Sequence, residues 1–233
     1  MAHTHPATRL PPAWGRWQVA VTEAGDGYPV CLSLANTRNW RRSAAPQEHL
    51  CAYADLLHWI ECRRLLEAGG VAALAQHATS RPRLARAALE QTITLRDAVY
   101  RVFSEHAHSR APPPEDVAQI VAGFNDAVAC VELTLEDGRM VPRQRDAGPE
   151  LGIARLQAAL SAVALLTSDR AARVKECADD RGCGWLFIDE TRNGSRRFCF
   201  SAECGNRARQ VAFRHRHSTG AEARTTPGAG RAD

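Results

Sequence analysis

Apolar residues recur at helical spacing along most of this chain. One apolar residue every three or four positions predicts a helix with one buried face. Gly69-Gly70 is expected to end the first of these helices, and the proline run after Ala111 to end the longest. The periodic stretches are Leu50 to Leu66, Val71 to Ala78, Leu84 to Ala107, a segment opened by Glu115-Asp116, and Glu150 to Thr167.

The pattern changes to alternation at one place within this helical sequence. Val131 to Leu135 and Met140 to Arg143 alternate apolar and polar residues on either side of Asp137-Gly138. Asp-Gly between alternating segments is a strong signal of a β-hairpin. The expected fold class is therefore mainly α, with a helical N-terminal domain that includes a small β-hairpin.

Composition places the chain among ordinary globular proteins, with 233 residues, 45% of them apolar and 24% charged. The length suits one full domain and one small module. The chain has neither the apolar run of a transmembrane helix nor the apolar core of a secretion signal, so we expect a cytoplasmic protein outside the membrane. Residues 1–27 are predicted to be a flexible arm, and residues 219–233 a disordered tail.

Four of the eight cysteines lie in two close pairs near the C-terminus. Five residues separate Cys177 from Cys183, four separate Cys199 from Cys204, and fifteen lie between the pairs. Two thiolate pairs on opposing turns give the tetrahedral ligand set that Zn²⁺ prefers, so we expect one structural zinc ion per chain. The alternatives for these residues are four unligated thiols or a regulatory disulfide.

The sequence around these pairs predicts two strands and a helix. Trp185 to Asp189 and Arg196 to Phe200 are predicted strands joined by the Asn193-Gly194 turn, and Gly205 to His217 is a predicted basic helix. Such a small segment has too little core to fold alone, so metal binding would supply much of its folding free energy. We therefore expect a small C-terminal ββα-like four-cysteine zinc finger after the helical domain.

The segment from Cys199 to Arg207 resembles the signature of the CGNR zinc-finger family, which is named for the residue types at 204–207. In such proteins the finger follows a helical domain called ABATE, and Cys31 to Asn39 resembles the start of that domain. The resemblance implies an ABATE domain over residues 28–170 and a finger over residues 171–218. It also implies the role of a stress-induced transcription regulator.

Positive charge is concentrated in the C-terminal segment. Residues 170–233 hold 13 basic and 8 acidic side chains, whereas residues 1–169 hold 17 basic and 18 acidic ones. Arginines bind phosphates, so we expect the segment to contact double-stranded DNA, and a homodimer would supply the larger interface that specific binding needs. The candidate nucleic-acid-binding residues are Arg192, Arg196, Arg197, Asn206, Arg207, Arg209, Arg214 and Arg216.

These residues also have a purely structural interpretation. Four thiolates and one Zn²⁺ carry a net charge of about −2, which nearby arginines would offset. In that case Asn206 would cap the helix, and Arg207 would pair with Asp189 or Glu203.

A polar cluster directly after an apolar segment is the candidate ligand site of the helical domain. In Asn36-Thr37-Arg38-Asn39-Trp40, Arg38 would hold a carboxylate of a small-molecule effector, and Trp40 or Trp59 would stack on a ring. In the alternative interpretation, Asn36 and Thr37 cap a helix or close a turn.

The chain lacks the common catalytic motifs: a nucleophile elbow, a Walker loop, a dinucleotide fingerprint and a His-Glu-x-x-His pair. The sequence therefore favours a transcription regulator over an enzyme, with a helical domain that senses a small molecule or a stress signal. One alternative is an enzyme or small-molecule-binding protein whose site lies near Asn36 to Trp40 and whose finger is purely structural. Another is a protein-interaction adaptor that uses the surface of the finger.

Overall fold

The computed structural model describes residues 28–144 and 150–211. The predicted arm and tail, together with Arg214 and Arg216, lie outside the described residues. Within these ranges, none of the helices combines the length and the apolar character needed to cross a membrane. The helices are α1 (Val30–Ala35), α2 (Tyr53–Cys62), α3 (Ala68–Ser80), α4 (Pro82–Ala107), α5 (Pro114–Ala129) and α6 (Ile153–Leu166).

Short antiparallel strand pairs lie between and after these helices. Of the predicted strands, those of the hairpin between α5 and α6 are confirmed. Asp137 (φ 47°) and Gly138 (φ 74°) both adopt left-handed conformations, as a type I′ turn requires. The pairs are β1 (Arg38–Asn39) with β2 (Gln47–Glu48), β3 (Val131–Glu136) with β4 (Arg139–Gln144), and β5 (Val174–Glu176) with β6 (Leu186–Ile188).

The body of the protein is built around α4. Leu95, Val99 and Phe103 on α4 are buried, as is nearly all of α1. Helix α1 lies against both α4 and α6, and the Cys31 amide donates a hydrogen bond to the Ser161 hydroxyl on α6 (3.2 Å). A helix that is apolar on all sides is stable only in the interior. Its burial therefore fixes the point at which the chain emerges into the polar cluster that follows.

Gly69-Gly70 does not end the first long helix, contrary to the sequence prediction. Helix α2 ends at Cys62, and Arg64 takes a left-handed conformation (φ 52°) just beyond it. The Arg64 amide bonds to the Glu61 carbonyl and the Leu65 amide to the Ile60 carbonyl, as in a Schellman motif. Because arginine stands where glycine is usual, no local signal identifies this boundary. Both glycines lie instead in the first turn of α3.

The strand pair of the finger is not the predicted pair. Strand β6 pairs with β5, which precedes the first cysteine of the cluster. Residues 196–200, predicted as a strand, pair with no strand in the described part of the chain. The Arg196 amide donates to the Asp189 carboxylate instead (2.9 Å). A buried side chain thus takes the hydrogen bond that the predicted ladder would have used.

Strand β6 joins the finger to the helical body. Leu186 and Ile188 are buried in the same core as α1, α4 and α6, together with Val174 of β5. Phe187, between them, packs into the separate cluster of cysteines. This follows from the period of a strand, because successive side chains point to opposite faces. Packing therefore continues across the expected domain boundary at residues 170–171.

Candidate zinc centre and nucleic-acid interface

The four paired cysteines converge on one point. Their sulfurs lie within 4.8 Å of one another, with 3.7 Å between the Cys183 and Cys199 sulfurs and 3.9 Å between those of Cys199 and Cys204. Sulfurs bound tetrahedrally to Zn²⁺ at ~2.3 Å are about 3.8 Å apart, so the cluster fits the ion as it stands. Cys177, Cys183, Cys199 and Cys204 form a site for one structural zinc ion.

The protonation of these thiols is coupled to the ion. Hydrogen bonding to the Cys177 and Cys183 sulfurs raises the pKa of Cys199, and burial raises the pKa of Cys204. Zn²⁺ binds thiolates, so its charge offsets both effects and binding releases protons. A structural role follows, because the four cysteines fill all four tetrahedral positions around the ion and leave none open for a substrate.

Acidic side chains pair with the arginines beside the cysteine cluster. Asp179 is buried and accepts a hydrogen bond from Arg181 (2.8 Å). The Arg181 guanidinium holds the pKa of that carboxyl well below its usual range. Arg207 pairs with Asp179 (3.8 Å) and Asp180, and not with Asp189 or Glu203 as the sequence analysis expected. The structural interpretation thus applies to Arg207, although with different partners.

A buried ion pair organises the loop between β6 and Cys199. The Asp189 carboxylate is completely buried and accepts hydrogen bonds from Lys175 (2.6 Å) and from the Thr191 and Arg196 amides. Burial by itself raises the pKa of Asp189, but these hydrogen bonds outweigh it and hold the pKa well below its usual range. The Lys175 ammonium also donates to the Gly194 and Arg196 carbonyls. Its three protons are therefore all used to close this loop.

Asn36 attaches the finger to the helical body. Its side-chain amide donates to the Leu186 carbonyl (2.9 Å) and accepts from the Leu186 amide (3.0 Å). The Tyr28 hydroxyl donates to the same carbonyl (2.7 Å). Leu186 has no exposure to water, so its backbone groups need partners within the protein. Asn36 satisfies them as a neighbouring strand would.

The residues after Asn36 contact the loop that carries Cys183. The Trp185 indole donates to the Asn39 side chain (2.8 Å), and the Arg181 guanidinium lies over the Trp40 ring (4.7 Å to its centre). The Arg42 amide bonds to the Gly182 carbonyl (3.1 Å). A Cβ at Gly182 would come within 2.5 Å of the Arg42 backbone, and its φ of 86° also favours glycine. This close approach fixes the loop against the body.

Glu176 ties β5 to α4. Its side chain is almost fully buried and accepts hydrogen bonds from the Ser104 hydroxyl (2.6 Å), the Tyr100 hydroxyl (3.3 Å) and Arg42 (3.1 Å). Burial and the nearby Glu176 raise the pKa of Tyr100, which keeps this hydroxyl a donor. Glu176 is not among the sequence-predicted site residues, because a single acidic residue before a cysteine carries no recognisable signal.

The predicted nucleic-acid-binding residues that the structure describes differ in how far they are exposed. Arg196 and Arg207 are engaged within the finger: Arg196 bonds to the Phe198 and Cys199 carbonyls and lies over the Phe187 ring. The other described candidates are exposed on the finger surface: Arg192, Arg197, Asn206 and Arg209. Residues 206–211 are helical, as the sequence predicted for the start of the basic helix.

Three of the six predicted ligand residues lie between the body and the finger. Asn36, Asn39 and Trp40 contact the finger, and the Thr37 hydroxyl closes a turn on the Leu34 carbonyl (2.7 Å). Arg38 lies in β1, and Trp59 is part of the buried core. A cavity of about 700 Å³ opens elsewhere, between α2, α3 and α4. The residues that line it were not candidates, because small apolar side chains at helical spacing predict only a core.

Comparison with protein families matches both parts of this architecture. Residues 28–169 match the ABATE model, described as "Putative stress-induced transcription regulator", and residues 173–217 match the model of the CGNR zinc finger. No curated protein matches the chain. The first match covers more than half of the chain, and the clustered cysteines fall within the second. The chain therefore belongs to the ABATE family and carries a C-terminal CGNR zinc finger.

Proposed function

We propose that this chain is a cytoplasmic DNA-binding transcription regulator whose finger contacts double-stranded DNA. The observation that supports this most directly is the set of exposed arginines that the zinc site holds on the finger: Arg192, Arg197 and Arg209. Each phosphate that they neutralise releases counterions and adds salt-sensitive affinity. The description of the ABATE family as a transcription regulator is consistent with this function.

Replacing Arg192, Arg197 and Arg209 with alanine is expected to weaken the binding of a DNA duplex. Loss of three phosphate contacts should make the negative slope of log affinity against log salt concentration shallower by about 2–3. The matched control replaces Arg81, Arg83 and Arg110, which are exposed on the helical body and carry the same total charge. The measurement is fluorescence anisotropy of a labelled duplex with the zinc-loaded protein at several salt concentrations.

If both triple variants bind with the same slope, the finger surface does not contact DNA and the proposed function is wrong. If the finger variant alone has a weaker salt dependence, the sequence preference of the parent protein is measured next. Bound fragments are selected from a sheared genomic library at about 150 mM salt, where weak phosphate contacts fade. A shared sequence among the selected fragments is the expected result for a regulator.

The cavity between α2, α3 and α4 supports the sensing of a small molecule by the helical body. Its volume of about 700 Å³ suits a small organic ligand, and its wall is mostly apolar, including Leu57, Ala78 and Leu89. A physical connection leads from it to the finger. The amide of Leu50 in the wall bonds to Glu48 (2.9 Å), which lies on β2, and β2 pairs with β1 at Asn39, the partner of Trp185.

Filling the cavity is expected to abolish the binding of an apolar probe. With 1-anilinonaphthalene-8-sulfonate as the probe, Ala78→Trp should remove most of the fluorescence gain of the parent protein, because Ala78 lines the cavity. Ala72→Trp is the control, since Ala72 is exposed on the same helix and does not line it. Equal fluorescence in the two variants would argue against this effector site.

The outward face of the β3–β4 hairpin supports a homodimer. Leu133, Leu135 and Met140 are 62%, 70% and 60% exposed, whereas Thr134 between them is half-buried. A two-stranded hairpin with an exposed apolar face is marginally stable alone, and a two-fold axis would cover this face with the same face of a second copy.

Leu135→Glu is expected to raise the dimer dissociation constant at least ~10-fold in sedimentation equilibrium. Leu84→Glu, at a leucine 52% exposed on α4, should not.

A further inference from the structure

Among the aromatic side chains of the finger that the structure describes, Phe200 stands apart from the cysteine cluster. Phe187 is buried among the cysteines and Phe198 is partly buried against the same cluster, whereas Phe200 is 57% exposed. An aromatic ring of this size normally gains free energy by leaving water. Phe200 lies one residue after the third zinc ligand and presents its ring to solvent.

The backbone that carries Phe200 is firmly held. The residue lies between the zinc ligands Cys199 and Cys204, and its carbonyl accepts the Gly205 amide (3.0 Å). The preceding carbonyl, of Cys199, accepts a hydrogen bond from the Arg196 guanidinium. A ring mounted on so rigid a support loses little conformational entropy when a ligand packs on it.

Two exposed arginines, Arg197 and Arg209, lie near Phe200 along the chain, together with one exposed acidic residue, Glu203. A Cβ placed on Gly205 would lie 3.5 Å from the Phe200 carbonyl oxygen and 3.8 Å from Nη1 of Arg209, so Arg209 lies beside this segment and Gly205 leaves the space between them open. Arg197, three residues earlier in the chain, is also exposed. Arginines bind phosphates and an aromatic face binds the face of a base, so the combination suits a nucleotide.

We propose that Phe200 stacks on a nucleobase of the bound nucleic acid while Arg197 and Arg209 hold its phosphates. This inference rests on the proposed function and specifies how the finger engages its ligand. A base that stacks on Phe200 is no longer stacked on its neighbouring bases. Such a base occurs in a single strand or at a distorted step of a duplex. The shared chemistry is the exposed face of a base next to a phosphate.

The test compares Phe200→Ala, Phe200→Leu and Phe200→Trp with the parent protein. The probes are a duplex and a single strand of the same sequence, each with 2-aminopurine in place of one adenine. Phe200→Ala and Phe200→Leu are expected to weaken binding by about 5- to 100-fold without a change in salt slope. Phe200→Trp is expected to bind like the parent protein, with tryptophan fluorescence quenched by the stacked base.

The two sources of the base are separated by the probes. A rise in 2-aminopurine fluorescence in the duplex, lost in Phe200→Leu, would identify an unstacked duplex step. A loss of affinity confined to the single strand would identify a single-stranded ligand.

Phe200→Leu keeps the apolar bulk, so its zinc content and melting temperature should match those of the parent protein even if Phe200→Ala is unstable. Binding by Phe200→Leu at the parent affinity would overturn the stacking proposal. If the arginine variant still weakens binding in that case, the proposed function stands without it. If the parent protein binds neither probe, both fail.

Discussion

Cys204→Ser is expected to remove the zinc ion and to lower the melting temperature of the whole chain, not of the finger alone. Zinc binding supplies about 10–16 kcal/mol of apparent folding free energy in small finger peptides, comparable to the total stability of an ordinary domain, about 5–15 kcal/mol. Cys183 lies three residues before Leu186, and Cys177 directly follows β5, so losing the ion releases one end of each strand. Those strands are part of the core of the body.

The measurement combines metal analysis with thermal unfolding followed by circular dichroism. We expect less than one zinc ion per chain in Cys204→Ser and a single transition at least roughly 10 °C lower. Cys62→Ser is the control, because Cys62 is exposed and lies outside the cluster. A variant with an unchanged main transition, and a finger that melts separately, would show that the core shared through β5 and β6 contributes little.

Lys175→Met is expected to destabilise the folded chain by about 3 kcal/mol. Removing one partner of a buried ion pair costs about 3–5 kcal/mol, and the lower end applies because the Lys175 side chain is 32% exposed. The variant leaves the Asp189 carboxylate fully buried without its cation, and the Gly194 and Arg196 carbonyls lose a donor. The measurement is denaturant unfolding of the zinc-loaded protein. Arg83→Met, at an exposed arginine, should change stability by less than about 0.5 kcal/mol.

The pH dependence of this difference follows from the lowered pKa of Asp189. A carboxyl whose pKa is lower in the folded state adds stability above its unfolded-state pKa of about 3.9, and this stability is lost as the pH falls through the folded-state pKa. Between about pH 6 and 8 the carboxyl of the parent protein is ionised in both states, so its contribution to stability is constant there. Lys175→Met removes the largest of the interactions that oppose burial, so the pKa of Asp189 rises in the folded variant, and the stability difference should narrow as the pH falls toward the unfolded-state pKa. A difference that does not narrow would assign the effect to the Gly194 and Arg196 carbonyls that lose their donor.

The helical class, the β3–β4 hairpin and the four zinc ligands could be predicted because their signals are local. Asp137-Gly138 specifies its turn through the conformations that these two residues tolerate. The cysteine pairs specify a ligand set through their spacing along the chain. In each case the residues that carry the signal are close in sequence.

Predictions of where elements begin and end were wrong where a residue took a role that another residue type usually has, or where a distant side chain intervened. Arg64 occupies the left-handed position that usually identifies the end of a helix by a glycine. The predicted strand over residues 196–200 failed because Asp189, buried several residues earlier, takes the Arg196 amide. The true partner of β6 is a three-residue strand that is too short to show alternation.

The sequence by itself determined that this protein is mainly helical, binds zinc through four cysteines, and has its excess of positive charge in the C-terminal segment. Only the tertiary structure decided which groups Asn36, Asn39 and Trp40 contact, and which of the described arginines are exposed. The physical reason is distance along the chain: Asn36 and Leu186 are 150 residues apart, so nothing in the neighbourhood of either predicts their hydrogen bonds. A polar side chain has the same local sequence signal whether it faces a ligand or a backbone, and only packing selects the partner.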